Sequence, residues 1–304
     1  MSSLSGDVGG LRLENPLILA AGILGTTGAS MRRVALAGAG AVVTKSVGLE
    51  PRNGHPGPTV VRLGVGLINA MGLPNPSYRA FQDEIDIARE GGVPVVASIF
   101  GSCPEEFAEI ASALDVDGFE LNLSCPHAGG YGMEIGCDPA NVEEITRAVR
   151  RAVNVPVWVK LTPNVTDIRV LGIAAQRGGA NAVVAINTLK AMAIDVESGY
   201  PILGNVIGGL SGPAIKPVAL RCVYELSGVL EIPVIGVGGV SCWQDAVEMI
   251  MAGAAGVQIG TALMGGLEVI RDITSGIIRF LDRKGWSLEE IRGIARRRGS
   301  TPSS

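Results

Sequence analysis

Short apolar runs recur along the chain at intervals of roughly 25–45 residues, each followed by a stretch with helical periodicity. Eight of them have strand length: Pro16–Ala20, Ala41–Ser46, Pro94–Phe100, Gly118–Leu123, Pro156–Leu161, Ala182–Asn187, Pro233–Val237 and Gly256–Gly260. A run that is continuously apolar, rather than alternating, suits a strand buried on both faces, as in a parallel sheet covered by helices. Pro94, Pro156 and Pro233 open three of the runs, where a missing N–H is tolerated. Helix starts are equally marked. Cys103-Pro104-Glu105-Glu106 and Asp138-Pro139 each put proline in the first turn, Ser241 leads into a helix ending near Gly253, and Ser211-Gly212-Pro213 opens another. Gly91-Gly92 and Gly178-Gly179 read as helix stops. Eight strands alternating with helices favour a (β/α)8 barrel occupying residues 1–304 as one domain. Periodicity alone leaves an open doubly wound sheet in play, because one or two misassigned strands would convert the one into the other.

Two connections are too long for plain linkers: Val47 to about Ser77 after the second strand, and Thr188 to Gly212 after the sixth. Both contain hairpin patterns, Thr59–Leu67 around Gly64 and Ile194–Leu203 around a Glu-Ser-Gly turn. In a barrel both would follow strand C-termini and lie over the catalytic face.

Composition narrows the class. Hydrophobic residues make up 47% of the chain, charged residues 18% and aromatics only 4%, so a large core of small and β-branched side chains is available. A net charge of −4 gives no electrostatic reason to expect nucleic acid or an anionic membrane. Five cysteines (Cys103, Cys125, Cys137, Cys222 and Cys242) form no C-x-x-C pair, which fits a reducing cytoplasm. With only His55 and His127 available, a two-histidine metal site would need both, and no metal is expected. The first ten residues lack the charged and apolar regions of a signal peptide, and no apolar run reaches membrane-spanning length.

Chemistry gathers at the strand ends. The second strand ends Thr44-Lys45-Ser46, the fourth Asn122-Leu123-Ser124-Cys125-Pro126-His127, the fifth Lys160-Leu161-Thr162-Pro163 and the sixth Asn187-Thr188. A barrel would bring these lysines, amides and thiol to one rim. Lysine closing an apolar strand is poorly explained as core, since buried lysines are rare without a partner, so a functional role outweighs a structural ion pair. After the seventh and eighth strands, Gly236-Val237-Gly238-Gly239 and Gly260-Thr261 stand at the two loops where barrels commonly hold phosphate. Close backbone approach and helix N-terminal N–H groups can bind the anion there without a basic side chain.

The segment Asn122-Leu-Ser-Cys-Pro resembles the active-site segment of the class 1 dihydroorotate dehydrogenases. The same holds for Asn69-Ala-Met-Gly-Leu-Pro-Asn75, Lys45, Val159-Lys160-Leu161-Thr162-Pro163, Ile186-Asn187-Thr188-Leu189, Gly208-Gly-Leu-Ser-Gly-Pro-Ala214 and the two glycine turns. These motifs fall in order from Asn15-Pro16 to about Thr261. The resemblance implies a TIM barrel that holds FMN and oxidises (S)-dihydroorotate to orotate in pyrimidine biosynthesis. By it, Cys125 is the base removing the C5 proton while hydride passes from C6 to flavin N5, with Lys45 and Lys160 as further catalytic groups. It carries FMN contacts to Ala21, Lys45, Ser46, Ser98, Asn122, Lys160, Ile186, Gly212, Gly238, Gly239, Gly260 and Thr261. Substrate contacts fall on Lys45, Asn69, Ala70, Met71, Gly72, Leu73, Asn122, Asn187 and Thr188. Amides suit the substrate ring because one side chain both donates and accepts.

The turn Asn187-Thr188-Leu189 followed by Met192, Asp195 and Pro201-Ile-Leu is most similar to the catalytic subunit of the NAD-linked class. That class implies a homodimer joined by an electron-transfer subunit carrying FAD and an iron–sulphur cluster, as a heterotetramer. This chain has no Rossmann fingerprint and no cysteine cluster, so NAD use would require that partner. His127 stands where the family often has asparagine, and Ser-Cys-Pro-His also resembles dihydropyrimidine dehydrogenases that act on uracil or thymine. The glycine-rich stretch from His127 to Gly136 reads equally as a closing loop or an ordinary connection. A non-catalytic barrel binding a phosphorylated ligand is the remaining alternative, and it leaves Cys125, Lys45 and Lys160 without a shared purpose.

Overall fold

A computed structural model describes residues 3–123 and 133–298. Eight parallel strands close a barrel: β1 (Leu17–Leu19), β2 (Ala41–Val43), β3 (Val95–Ile99), β4 (Gly118–Asn122), β5 (Val157–Leu161), β6 (Ala182–Ala185), β7 (Val234–Val237) and β8 (Ala254–Ile259). Each pairs with the next in sequence, and β8 returns to β1 through Val257↔Leu17, Gln258↔Ile18 and Ile259↔Leu19. The open-sheet alternative is thereby removed. Pro94, Pro156 and Pro233 sit one position before their strands, yet still contribute. Pro94 O accepts from Val42 N at 3.0 Å, Pro156 O from Phe119 N at 2.9 Å and Pro233 O from Val183 N at 3.1 Å. Each offers the carbonyl it has where no donor is required of it.

Alternation along the strands divides the core in two. Leu17, Leu19, Val42, Val95, Val157, Val159, Val183 and Val234 face outward and pack beneath the helices. Ile18, Val43, Val96, Trp158, Val184 and Ile235 fill the barrel itself. The helices start where capping chemistry places them. Pro104–Ala113 follows Cys103, and Pro139–Ala152 follows Asp138, whose side chain accepts from Ala140 N. Trp243–Ala252 ends at Gly253.

Two features go beyond the sequence reading. An N-terminal hairpin, Gly6–Val8 with Leu11–Leu13, closes the barrel floor. Its Val8, Leu11 and Leu13 join the interior cluster, and Trp158 Nε1 donates to Gly9 O at 2.9 Å. A side chain on Gly9 would collide with this indole, its Cβ 2.5 Å from Nε1. Three-residue strands are too short to carry a period, which hid the hairpin. The second feature is the fate of the two long connections. The first forms its expected hairpin, Val60–Leu63 with Gly66–Asn69. In the second, Ile194 bridges Pro201 as expected, but the regular strands lie further out, Leu189–Ala191 with Gly208–Ser211. Gly208–Ser211 then pairs with Gly66–Asn69, so both connections merge into one four-stranded antiparallel sheet. Pairing between loops so far apart in sequence leaves no local signature.

Candidate active site

The C-terminal ends of β2, β3, β4 and β6 are tied together by side chains. Asn187 Nδ2 donates to Asn122 Oδ1 at 3.4 Å, and Asn122 Nδ2 donates to Ser46 Oγ at 3.0 Å. Ser46 Oγ and Ser98 Oγ share a hydrogen bond of 2.8 Å. Ser46, Ser98 and Asn122 are buried. The strand ladder continues beyond the regular elements to hold this rim: Thr44 N donates to Val96 O, Val47 N to Ser98 O, Ile186 N to Val237 O and Asn187 N to Leu161 O. Lys45 is partly exposed, with its backbone N–H bonded to Gly25 O at 2.8 Å. Ala21 follows β1 and packs against the barrel-interior cluster.

Lys160 lies directly across the ladder from Asn122 and is only 5% exposed. Its Nζ donates to Glu120 Oε1 and to Gln258 Oε1, each at 3.2 Å. Gln258 Nε2 completes a ring by donating to Glu120 Oε2 at 2.6 Å. The ion pair, the lesser reading of this lysine from sequence, is present, between side chains of β4 and β5 with β8 closing the ring. Glu120 and Gln258 were missed. Their signal was available: Gly118, Glu120 and Asn122 share one face of β4 by period two, and Gln258 interrupts an otherwise apolar β8.

Asn69 to Leu73 leave the inserted sheet as a pinned segment. Asn69 Nδ2 donates to Gly209 O at 3.3 Å, Ala70 N to Thr59 O at 2.7 Å, and His55 N to Met71 O at 3.0 Å. Gly72 and the non-glycine Leu73 both have positive φ, +76° and +56°. Asn75 fixes this turn from beneath. Its Oδ1 accepts from Gly48 N and Ser77 N, and its Nδ2 donates to Leu73 O at 2.9 Å. Asn75, the last residue of the Asn69–Asn75 motif, therefore holds this segment in place. Thr188 packs against Gly209, whose Cβ, if present, would sit 2.1 Å from Thr188 Oγ1. Asn187 Oδ1 accepts from Thr188 N at 2.8 Å.

The glycine turns also converge. Gly212 precedes the 3-10 turn Pro213–Ile215 and the helix Lys216–Ser227. Thr261 begins the 3-10 turn Thr261–Gly265 after Gly260, and its Oγ1 lies 2.9 Å from Ser211 Oγ. Gly238 and Gly239 have φ of +129° and +75°, and a Cβ on Gly239 would fall 2.8 Å from Lys216 N. Only glycine fits there without strain. Below this turn Asp245 accepts from Ser241 N, Ser241 Oγ and Cys242 N through Oδ2, and from Lys216 Nζ at 2.7 Å through Oδ1. Burial opposes ionisation of Asp245, but these donors outweigh it and hold its carboxyl down at about 2.

Cys125, His127 and most of the glycine-rich stretch after them lie outside the described residues. Asn122 and Leu123, which lead into that segment, are buried at the end of β4. Among the described residues, no helix is long and apolar enough to cross a membrane, and no group of His, Cys, Asp and Glu could hold a metal ion.

The family model described as Dihydroorotate dehydrogenase matches residues 3–281. A protein of Methanocella arvoryzae, named dihydroorotate dehydrogenase B (NAD(+)), catalytic subunit, is 63% identical over 292 residues, covering 96% of this chain and 97% of the relative. Proteins of the same name from Pyrococcus horikoshii and Thermoplasma acidophilum are 56% and 49% identical, covering 94% and 97% of this chain and 95% and 99% of theirs. From β1 to the long helix Glu268–Lys284 the matched span takes in every strand of the barrel, and on that ground the chain belongs to the dihydroorotate dehydrogenase family.

Proposed function

We propose that this barrel oxidises dihydroorotate to orotate with Cys125 as the base, Lys45 and Lys160 as fixed cations, and FMN bound across its C-terminal rim. Dihydroorotate dehydrogenation, an oxidoreductase reaction of pyrimidine biosynthesis, follows from family membership. The family is flavin-dependent, and the residues present fit FMN. Gly212 and Gly239, which have positive φ and no room for a side chain, stand beside the 3-10 turn Pro213–Ile215 and the start of the helix Lys216–Ser227, and Gly260 precedes a second 3-10 turn, so backbone N–H groups there suit a phosphate. A buried ammonium stands across the ladder from Asn122, as the electron-rich edge of a reduced ring requires. The observation that carries the reading is the hydrogen-bonded chain Asn187–Asn122–Ser46–Ser98 with Lys160 across the ladder from Asn122.

In this reading Gly212, Gly238, Gly239, Gly260 and Thr261 hold the phosphate. Ala21, Lys45, Ser46, Ser98, Asn122, Lys160 and Ile186 line the rest of the cofactor site. FMN, when bound, supplies the hydride acceptor. Asn69, Asn122, Asn187 and Thr188 meet the alternating N–H and C=O groups of the substrate ring, with Ala70, Met71, Gly72 and Leu73 offering backbone. Lys45 balances the substrate's negative charge, and Cys125 takes the proton from C5. A free thiol is only slightly ionised at neutral pH, so nearby cationic charge raises the fraction of active base. The relatives' name, a catalytic subunit working with NAD(+), supports a partner subunit that carries FAD and an iron–sulphur cluster. A homodimer within a heterotetramer and a cytoplasmic site of action complete the reading. The test is anaerobic addition of dihydroorotate to the purified chain. The flavin spectrum should bleach rapidly. Bleaching by dihydrouracil but not by dihydroorotate would move the substrate to an uncharged dihydropyrimidine.

A further inference from the structure

Among the described residues only Glu120, Lys160 and Asp245 are buried charged side chains. Asp245 caps the helix Trp243–Ala252, but Glu120 and Lys160 sit inside the barrel, 0% and 5% exposed, with Gln258 at 1%. Three strands supply the three side chains, and their hydrogen bonds close a ring: Lys160 to Glu120, Lys160 to Gln258, and Gln258 to Glu120. Stability does not explain this arrangement. Desolvating such a pair costs several kcal/mol per ion, and packed apolar side chains of similar volume often serve a core as well or better. The interior layer next to it, around Trp158, is built in just that way. A polar ring placed between that floor and the rim therefore has another purpose.

Geometry supplies one. A lysine ammonium is a flexible point charge with three donors. Two of them are taken by Glu120 and Gln258, which leaves the third for an acceptor at the rim and removes the side chain's freedom to choose its direction. We propose that Glu120 and Gln258 are positioning residues: they hold the Lys160 ammonium aimed at the rim, so that the barrel interior sets the reduction potential of the flavin bound there. The inference rests on the reading that FMN occupies this rim beside Lys160. Fixed positive charge favours the reduced, more electron-rich ring over the oxidised one. Without Glu120, Lys160 is a buried cation lacking its counter-charge, and its ammonium moves out of place. That movement withdraws charge from the flavin.

The experiment is a spectroelectrochemical titration of the FMN-loaded chain and its Glu120→Gln and Gln258→Leu variants, with the dissociation constant of oxidised FMN measured alongside. Glu120→Gln keeps the shape and removes the charge. Its flavin midpoint should move negative, while oxidised FMN binds within about threefold of the parent. Each tenfold loss of relative affinity for reduced FMN corresponds to about 30 mV in a two-electron couple. Gln258→Leu keeps the ion pair and should shift the midpoint in the same direction by less. A Glu120→Gln midpoint equal to or more positive than the parent's overturns the proposal. If that variant does not fold, an unmoved midpoint in Gln258→Leu overturns it instead. A parent chain that binds no flavin sinks both this inference and the functional reading, whereas a parent bleached by dihydroorotate beside unmoved variants sinks the inference alone.

Discussion

A single side chain carries information when its chemistry contradicts its surroundings, and at the rim of this barrel the contradictions could be read from the sequence. Lys45 and Lys160 stand at the ends of apolar strands, Asn187 follows a continuous run of Ala, Val and Ile, and Asn122 closes Gly118-Phe119-Glu120-Leu121. What could not be read was how they are joined. The Asn122–Ser46–Ser98 chain depends on which residues of three strands stand level, and strand register is set by pairing across the barrel. Cys125 is the residue whose role rests most on motif and least on geometry, so its test must separate chemistry from binding. Cys125→Ala should retain FMN while the rate of flavin bleaching by dihydroorotate falls at least about a hundredfold, the usual scale for a lost general base. Cys125→Ser should keep a weak activity with its optimum at higher pH, because a hydroxyl ionises far less readily than a thiol. Stopped-flow bleaching across pH, with flavin content measured on the same samples, checks both. An alanine variant that lost its flavin, or bleached at the parent rate, would remove Cys125 from the base role. Cys222 offers the contrast: burial pushes its thiol up to about 11, consistent with a small core residue rather than a reactive one.

At the scale of elements, the barrel strands and their capped helices were legible because each declares itself locally. The N-terminal hairpin and the four-stranded sheet did not, being built from three- and four-residue strands whose partners lie far away. The helix Trp243–Ala252 shows an element whose start has two duties, to begin a helix and to shape the Gly238–Gly239 turn before it. Asp245 serves both by accepting from Ser241, Cys242 and Lys216. Its carboxyl stands at about 2 against an ordinary value of 3.8, so the folded state favours the charged form. The associated stability is complete above about pH 4 and is lost as pH falls towards 2, amounting to roughly 2 kcal/mol. Asp245→Asn should lose about that much at neutral pH, and the gap between variant and parent should close between pH 4 and pH 2. Urea unfolding at several pH values measures it. A gap that stayed constant with pH would mean that the lost hydrogen-bond geometry, and not charge, accounts for the cost.

For the whole molecule, a closed parallel barrel separates what holds the fold from what does chemistry. The N-terminal hairpin seals one end around Trp158, and the polar rim and inserted sheet occupy the other. In the proposed reading such a division puts the oxidation of dihydroorotate at the polar end and leaves the passage of electrons to NAD(+) to a partner. Neither a dinucleotide fingerprint nor a cysteine cluster occurs in the sequence, although the relatives are named for NAD(+). The purified chain should therefore be reduced by dihydroorotate and turn over with an artificial dye as acceptor, yet form NADH from NAD(+) only at background rate. Adding an electron-transfer subunit that carries FAD and an iron–sulphur cluster should raise NADH formation to the dye-linked rate. Absorbance at the NADH band in the two mixtures decides the matter. Rapid NADH formation by the chain alone would show that the rim itself admits the nicotinamide, and the partner would then be unnecessary for catalysis.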